Sequence, residues 1–129
     1  MKLNETIYAK TNAEFLNTIF GTHYKAWMKS AWTYSLDTIV WMVRIDGKER
    51  TGWKNTFSGK DKIIQENCRH VWDWNNNPVD IHNRYKRLVF EIVGDGASRK
   101  YIFRGVFKCN EKKTDPLNFF YYDKIADEF

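Results

Sequence analysis

Between Trp41 and Lys62 the chain interleaves flat aromatic rings with cations. The rings are Trp41, Trp53 and Phe57; the cations are Arg44, Lys48, Arg50, Lys54, Lys60 and Lys62. Stacking on an aromatic face can hold an unstacked or flipped base, while nearby cations hold its phosphates. Asn55 adds an amide, which offers one donor and one acceptor group to a base edge. A second aromatic pair, Trp72 and Trp74, stands in a polar stretch with Asp73 between them. Such a pair could form a lid or a cage wall. The base-pocket candidates are therefore Trp41, Trp53, Asn55, Trp72, Asp73 and Trp74, and the six cations are the phosphate-binding candidates. The competing account makes Trp41 and Trp53 core residues and the cations a solvated rim.

Other chemistries find less support, and no catalytic residue is expected. There is no G-x-S-x-G, and neither Cys68 nor Cys109 lies in a recognisable active-site sequence. Cys109 follows an apolar run and reads as a packing residue. Cys68, His70, His82 and Cys109 could supply soft ligands to zinc, but their spacing matches no standard zinc pattern, so no metal site is expected. Asp80-Ile81-His82-Asn83 is like the start of an HNH nuclease site, yet no histidine follows His82 to complete one. Asp80 and Glu91 could share a magnesium ion, but Glu91 is followed by Ile92 and Val93 rather than by the x-Lys of a nuclease strand. The loop GDGASRK lacks the glycine and lysine placement of a phosphate cradle. No cofactor is implied.

These candidates need a scaffold, and 129 residues suffice for one domain, 1–129, with its own core. Six tryptophans, seven tyrosines and nine phenylalanines are enough to fill a core and still leave rings for a pocket. The net charge of +5 favours an anionic partner, although solubility alone would account for it. Two cysteines give no disulfide framework and suit a reducing compartment. The N-terminal stretch has no signal-like apolar run, and none of the sequence is long and apolar enough for a membrane helix. A cytoplasmic protein without a membrane partner is the expectation.

The organising stretch is Arg87–Lys108. Apolar runs Leu88–Val93 and Tyr101–Phe107 flank a glycine-containing loop, the pattern of a β-hairpin. Leu88, Phe90, Ile92, Phe103 and Phe107 are the expected core. Alternation places Tyr101, Phe103, Gly105 and Phe107 on one face, and Gly105 marks a bulge or bend. Before the hairpin, residues 1–10 read as an extended arm anchored by Ile7 and Tyr8. Thr11-x-x-Glu14 is a capping box that opens a helix over Asn12–Phe20, with Gly21 as its stop. In the segment His23–Asp37, Tyr24, Trp27, Met28 and Ala31 match a helical stripe while Trp32 and Tyr34 alternate like strand residues, so a short helical turn giving way to extended chain is expected, then a strand over Thr38–Ile45. Asp46-Gly47 signals a turn, and Trp53 and Asn55 are expected on the turn after that strand. Lys60–Glu66 reads as a brief helix, 67–86 as irregular, Asn110–Pro116 as a loop, Asn118–Tyr122 as a strand and Asp123–Phe129 as a helical turn. The fold class is α+β: a small, strongly curved, mainly antiparallel sheet or barrel with an N-terminal helix and short flanking helices.

On Tyr101-Ile102-Phe103-Arg104-Gly105-Val106-Phe107, Val40-Trp41 and Gly52-Trp53-Lys54-Asn55, the sequence resembles the PUA-like superfamily, which includes SRA, EVE and YTH domains. The resemblance implies a curved β-barrel flanked by helices that binds nucleic acid, with a modified base held in an aromatic-walled pocket. It also implies a restriction or phage-defence setting and a nuclease or helicase as partner protein. The expected function is a non-enzymatic nucleic-acid-binding module for DNA, reading modified bases in restriction, defence or counter-defence. The alternative is a small protein-interaction inhibitor of the phage anti-defence type, docking through an aromatic-rich face. A metal-dependent nuclease is third.

Overall fold

The computed structural model describes residues 1–45, 53–60, 62–68, 85–115 and 119–129; the side chains of Trp53 and Cys68 are not described. Among these residues the elements in chain order are β1 (Thr6–Tyr8), α1 (Asn12–Phe20), β2 (Ala31–Ser35), β3 (Thr38–Val43), β4 (Trp53–Ser58), β5 (Ile63–Cys68), β6 (Lys86–Val93), β7 (Lys100–Cys109) and β8 (Phe119–Ala126). The strands form one sheet in the order β2-β3-β6-β7-β8-β5-β4, with β1 added against β7. All pairings are antiparallel except β3 with β6, which run parallel. A mainly antiparallel sheet with one N-terminal helix is the expected class.

The helix forms where its local signals place it. Thr11 is the N-cap, its hydroxyl accepting from the Glu14 N–H at 3.1 Å. Glu14 reaches back to the Lys10 N–H at 2.8 Å, one residue before the cap. Gly21 ends the helix in the left-handed conformation, with φ 69°. Ala13, Phe15 and Leu16 face the sheet, where Phe15 stacks on Tyr101 with ring centroids 4.3 Å apart.

The hairpin β6–β7 forms in the expected place, and Leu88, Phe90, Ile92, Phe103 and Phe107 are all buried. The single-face alternation of β7 does not hold along its length. Between Val89 and Phe90 the register slips by one, leaving Arg104 as the extra residue beside Gly105. Tyr101 and Phe103 therefore pack with the helix, whereas Phe107 and Cys109 belong to a second core on the opposite face. Gly105 has φ 117°, and a Cβ there would stand 2.9 Å from the Ala126 carbonyl oxygen. The bend also splits β7's partners: its first residues pair with β1, its last with β8.

The sheet curls. Trp41 on β3 meets Tyr122 on β8 with ring centroids 5.2 Å apart, although β6 and β7 lie between those strands in the sheet. At the far edge, Asn55 on β4 donates through Nδ2 to the Arg44 carbonyl at 3.2 Å, drawing β4 onto the chain that leaves β3. The helix and β1 cover one face of the curl; the other face is concave and lined by the second core.

Several local expectations are corrected. Lys60–Glu66 is not a helix: Ile63–Glu66 lies in β5, which pairs with β4 and β8 at once. So short a helix has little stability of its own, and two ladders of hydrogen bonds outweigh it. Asp123–Phe129 is no helical turn, because β8 continues to Ala126. No helical turn forms over residues 23–28. Trp53 and Asn55 lie in strand β4 rather than on a turn. Tyr8 does not anchor the arm; it is 66% exposed while Ile7 packs inward. Among the described residues the only further helical piece is the 3-10 turn Gly96–Ser98. Asp46-Gly47 and most of the irregular segment 67–86 lie outside the described residues.

Candidate functional site

The concave face buries charge. Along β3, β6 and β8, Trp41, Arg87 and Tyr122 point the same way as the second core, and Glu66 and Asn55 join them from β5 and β4. Glu66 and Asn55 are cross-strand partners. Arg87 is 6% exposed, Glu66 7% and Asn55 5%. The Arg87 guanidinium carbon lies 4.7 Å from the Trp41 ring centroid and 4.5 Å from that of Tyr122, a cation held against two π faces. The Tyr122 hydroxyl donates to Glu66 Oε1 at 2.9 Å.

These groups perturb one another. Burial pushes the Glu66 carboxyl above the usual carboxylate range, and Arg87 and the Tyr122 hydrogen bond draw it back. Burial likewise lifts the Tyr122 phenol well above its ordinary value, against the pull of Arg87. The Cys109 thiol, 3.5 Å from Thr114 Oγ1, is pushed up by burial and is a poor candidate nucleophile. Burying an arginine and a glutamate is costly unless their partners are well placed. Perturbed groups gathered with aromatic rings on a concave face are the usual mark of a site.

Of the base-pocket candidates, Trp41 and Asn55 fall within this cluster. Both are buried: Trp41 packs as the core account expects, but its neighbours there are charged. Trp53 pairs through its backbone with Cys68 at the start of β4, its side chain being outside the described residues, as are Trp72, Asp73 and Trp74. Lys54, Lys60 and Lys62 are exposed along the β4–β5 hairpin. Arg44 is engaged elsewhere: its Nη2 bonds the Gly94 carbonyl at 3.1 Å and Asp95 Oδ1 at 2.9 Å. Lys48 and Arg50 lie outside the described residues, as do His70, Asp80 and His82. Glu91, considered as a metal ligand, is instead bound by Arg104 at 2.8 Å. No group of three potential metal ligands occurs among the described residues.

Reasoning on the sequence missed Glu66, Arg87 and Tyr122. Each had a signal. Ile64 and Glu66, Arg87 and Val89, Phe120 and Tyr122 are i, i+2 pairs, so a strand that turns the apolar member inward turns the polar one inward too. For Glu66 that signal was hidden by the helical reading of its segment.

Within the cluster, Asn55 stands near the start of β4, Glu66 near the end of β5 and Arg87 at the start of β6. The profile of the SRA family (SET and RING associated domain) matches residues 1–129, the whole chain. This chain is an SRA domain. The family reads modified cytosine in DNA, so the chain belongs to a class of DNA-binding, modified-base readers with a PUA-like fold. Among solved structures, the 5-hydroxymethylcytosine-specific restriction enzyme AbaSI is similar in fold, with a TM-score of 0.75 and 24% sequence identity. The match covers all of the SRA chain described here and 41% of AbaSI. Among curated proteins, none matches this sequence.

Proposed function

We propose that this SRA domain binds a single 5-modified cytosine turned out of duplex DNA onto its concave face, and reads it by binding alone. The observation that carries the reading is the buried cluster of Trp41, Tyr122, Glu66 and Arg87 on that face, in a chain matched along its length by a family of modified-cytosine readers. Trp41 and Tyr122 supply apolar ring surface beside the base, and the Glu66 carboxylate accepts from its exocyclic amine, the usual contact of an acidic side chain with cytosine. Asn55, beside Glu66 in register, steadies the same rim. Lys54, Lys60 and Lys62 on the exposed hairpin, together with Lys48 and Arg50, meet phosphates, and Trp53, Trp72, Asp73 and Trp74 are the further base-contacting residues of this reading.

The similarity to part of a restriction enzyme supports a restriction, defence or counter-defence setting. There the domain would bring a nuclease or helicase partner to modified DNA in the cytoplasm. The test is binding to duplexes that differ at one position only: cytosine, 5-methylcytosine or 5-hydroxymethylcytosine. A modified duplex should bind about tenfold more tightly or better, the worth of roughly one good base contact. A 2-aminopurine placed beside the modified base should brighten as that base leaves the stack. Equal affinity for all three duplexes, with no fluorescence change, would overturn the reading.

A further inference from the structure

We propose that the outer face of β4, β5 and β8, on the far side of the sheet from the concave cluster, is a second nucleic-acid site that takes single-stranded DNA. Lys54 aside, its residues are ones the modified-cytosine reading leaves unused.

Strand alternation sorts these residues between the two faces. Ile64, Glu66, Phe120 and Tyr122 turn into the concave face and are buried. Their neighbours Gln65, Asn67, Phe119 and Tyr121 turn outward, and each keeps part of its surface exposed. The register sets Tyr121 beside Gln65 and Phe119 beside Asn67, with Lys54 next across from Asn67. The helix does not cover this area. Among the described residues, its core draws on β3, β6 and β7, and nothing from β4, β5 or β8 joins it.

The Phe119 and Tyr121 rings meet edge to face, with centroids 5.0 Å apart. Beside them, the Gln65 and Asn67 side-chain amides make no hydrogen bond among the described residues. Lys108 flanks the rings from β7, opposite Asp123, whose Oδ2 accepts from Asn110 Nδ2 at 2.7 Å. Exposed Lys112 and Lys113 follow on the turn, where Asn110 Oδ1 accepts from the Lys113 N–H at 3.2 Å. Lys54, Lys108, Lys112 and Lys113 outnumber the neighbouring acids Glu111, Asp115 and Asp123. Rings on an open sheet stack bases of any sequence, amides hold base edges and lysines hold phosphates. A single strand offers its base faces to such a surface, whereas a duplex hides them in its own stack. A protein partner would need an apolar centre, and here amides and cations hem the rings in. DNA is the strand expected of a domain from a DNA-binding family. The rival role is ordinary packing, in which the two rings support the sheet and bind nothing.

The experiment is fluorescence anisotropy with a labelled oligothymidine of about twelve nucleotides. Wild-type protein should bind it at low salt, with a log–log salt slope of about −1 to −2, the mark of roughly two phosphate contacts. A saturating 5-hydroxymethylcytosine duplex should not displace it. Tyr121→Ala and Phe119→Ala should each weaken oligonucleotide binding about tenfold while circular dichroism and duplex binding stay unchanged. A readout independent of any variant's folding is photocrosslinking of wild type to an oligonucleotide carrying 5-iododeoxyuridine, which should attach to the peptide holding Phe119 and Tyr121. Absence of binding at low salt, displacement by the duplex, or a crosslink confined to the concave face would each overturn the proposal. So would a folded Tyr121→Ala protein of wild-type affinity, or tighter binding of oligouridine than of oligothymidine. The modified-cytosine reading is tested on duplexes and stands or falls separately.

Discussion

The two faces of the sheet are made by the same strands, yet they bury different things. Under the helix, Phe15, Leu16, Val40, Met42, Leu88, Phe90, Tyr101 and Phe103 make an apolar core. Its principal polar group, the Tyr101 hydroxyl, is fully used: it donates to Asn12 Oδ1 at 2.6 Å and accepts from Arg99 Nη2 at 2.7 Å. The concave face also contains Val43, Ile64, Val89, Phe107 and Phe120, but there Arg87, Glu66 and Asn55 are buried among the rings. An apolar core needs nothing beyond close packing. Buried charges lower stability relative to apolar residues of similar volume, so their presence, among the described residues, on one face alone separates the scaffold from the site.

Substitutions on each face, and at the joint between them, sharpen the contrast. Phe103→Ala, in the helix-side core, should cost about 3–5 kcal/mol, because a fully buried ring leaves a cavity the surroundings only partly fill. Chemical denaturation measures it, and a loss under 1 kcal/mol would mean that the helix-side core tolerates voids. At the joint, Gly105→Ala should cost about 1–3 kcal/mol through backbone strain. Its φ of 117° suits glycine, and the new Cβ would meet the Ala126 carbonyl oxygen at 2.9 Å and Lys124 Cε at 3.0 Å. Unchanged stability would show that β7 can rebuild the bend without a glycine.

The smallest effect is a dependence on pH, and it belongs to the concave face. Glu66 is faced by Arg87 from β6, Tyr122 from β8 and the Cys109 thiol from β7, with the neutral Asn55 beside it on β4. Its folded pKa is raised above 4.5, chiefly by burial. Its contribution to stability is therefore fully present below the unfolded value and is lost as pH rises through the folded one. Glu66→Gln removes that loss, so the variant's stability relative to wild type should grow as pH rises from about 4 toward neutrality. Asp37, lowered by its bonds from Thr38 and Ser35, shifts stability in the opposite sense but cancels, being present in both proteins. Melting temperatures of the two proteins across that range test this. A constant difference would place the Glu66 carboxylate in an ordinary, solvated state.

How much of this was legible depends on the range of the interaction. The helix was readable because Thr11, Glu14 and Gly21 act within a turn of the residues they cap. The central hairpin was readable because its two apolar runs are close in sequence and alternate. β5 was misread because its segment opens with Lys60, Asp61 and Lys62 and becomes a strand only through pairing with β4 and β8. In β7, Gly105 signalled a bend, but only the slipped register against β6 decided that Phe103 and Phe107 face opposite ways.

The site divides in the same manner. Trp41 and Asn55 could be singled out by residue type, since a ring and an amide suit a base wherever they stand. Glu66, Arg87 and Tyr122 carry no motif and come from three separate strands. By itself the sequence determined the capped helix, the apolar strands, the bend at Gly105 and an aromatic-rich, basic composition, because each follows from neighbouring residues. Only the tertiary structure decided that a glutamate, an arginine and two rings share one concave face. Their meeting depends on the curl of the whole sheet, which sets β3 against β8 across two intervening strands, and no local spacing encodes that distance.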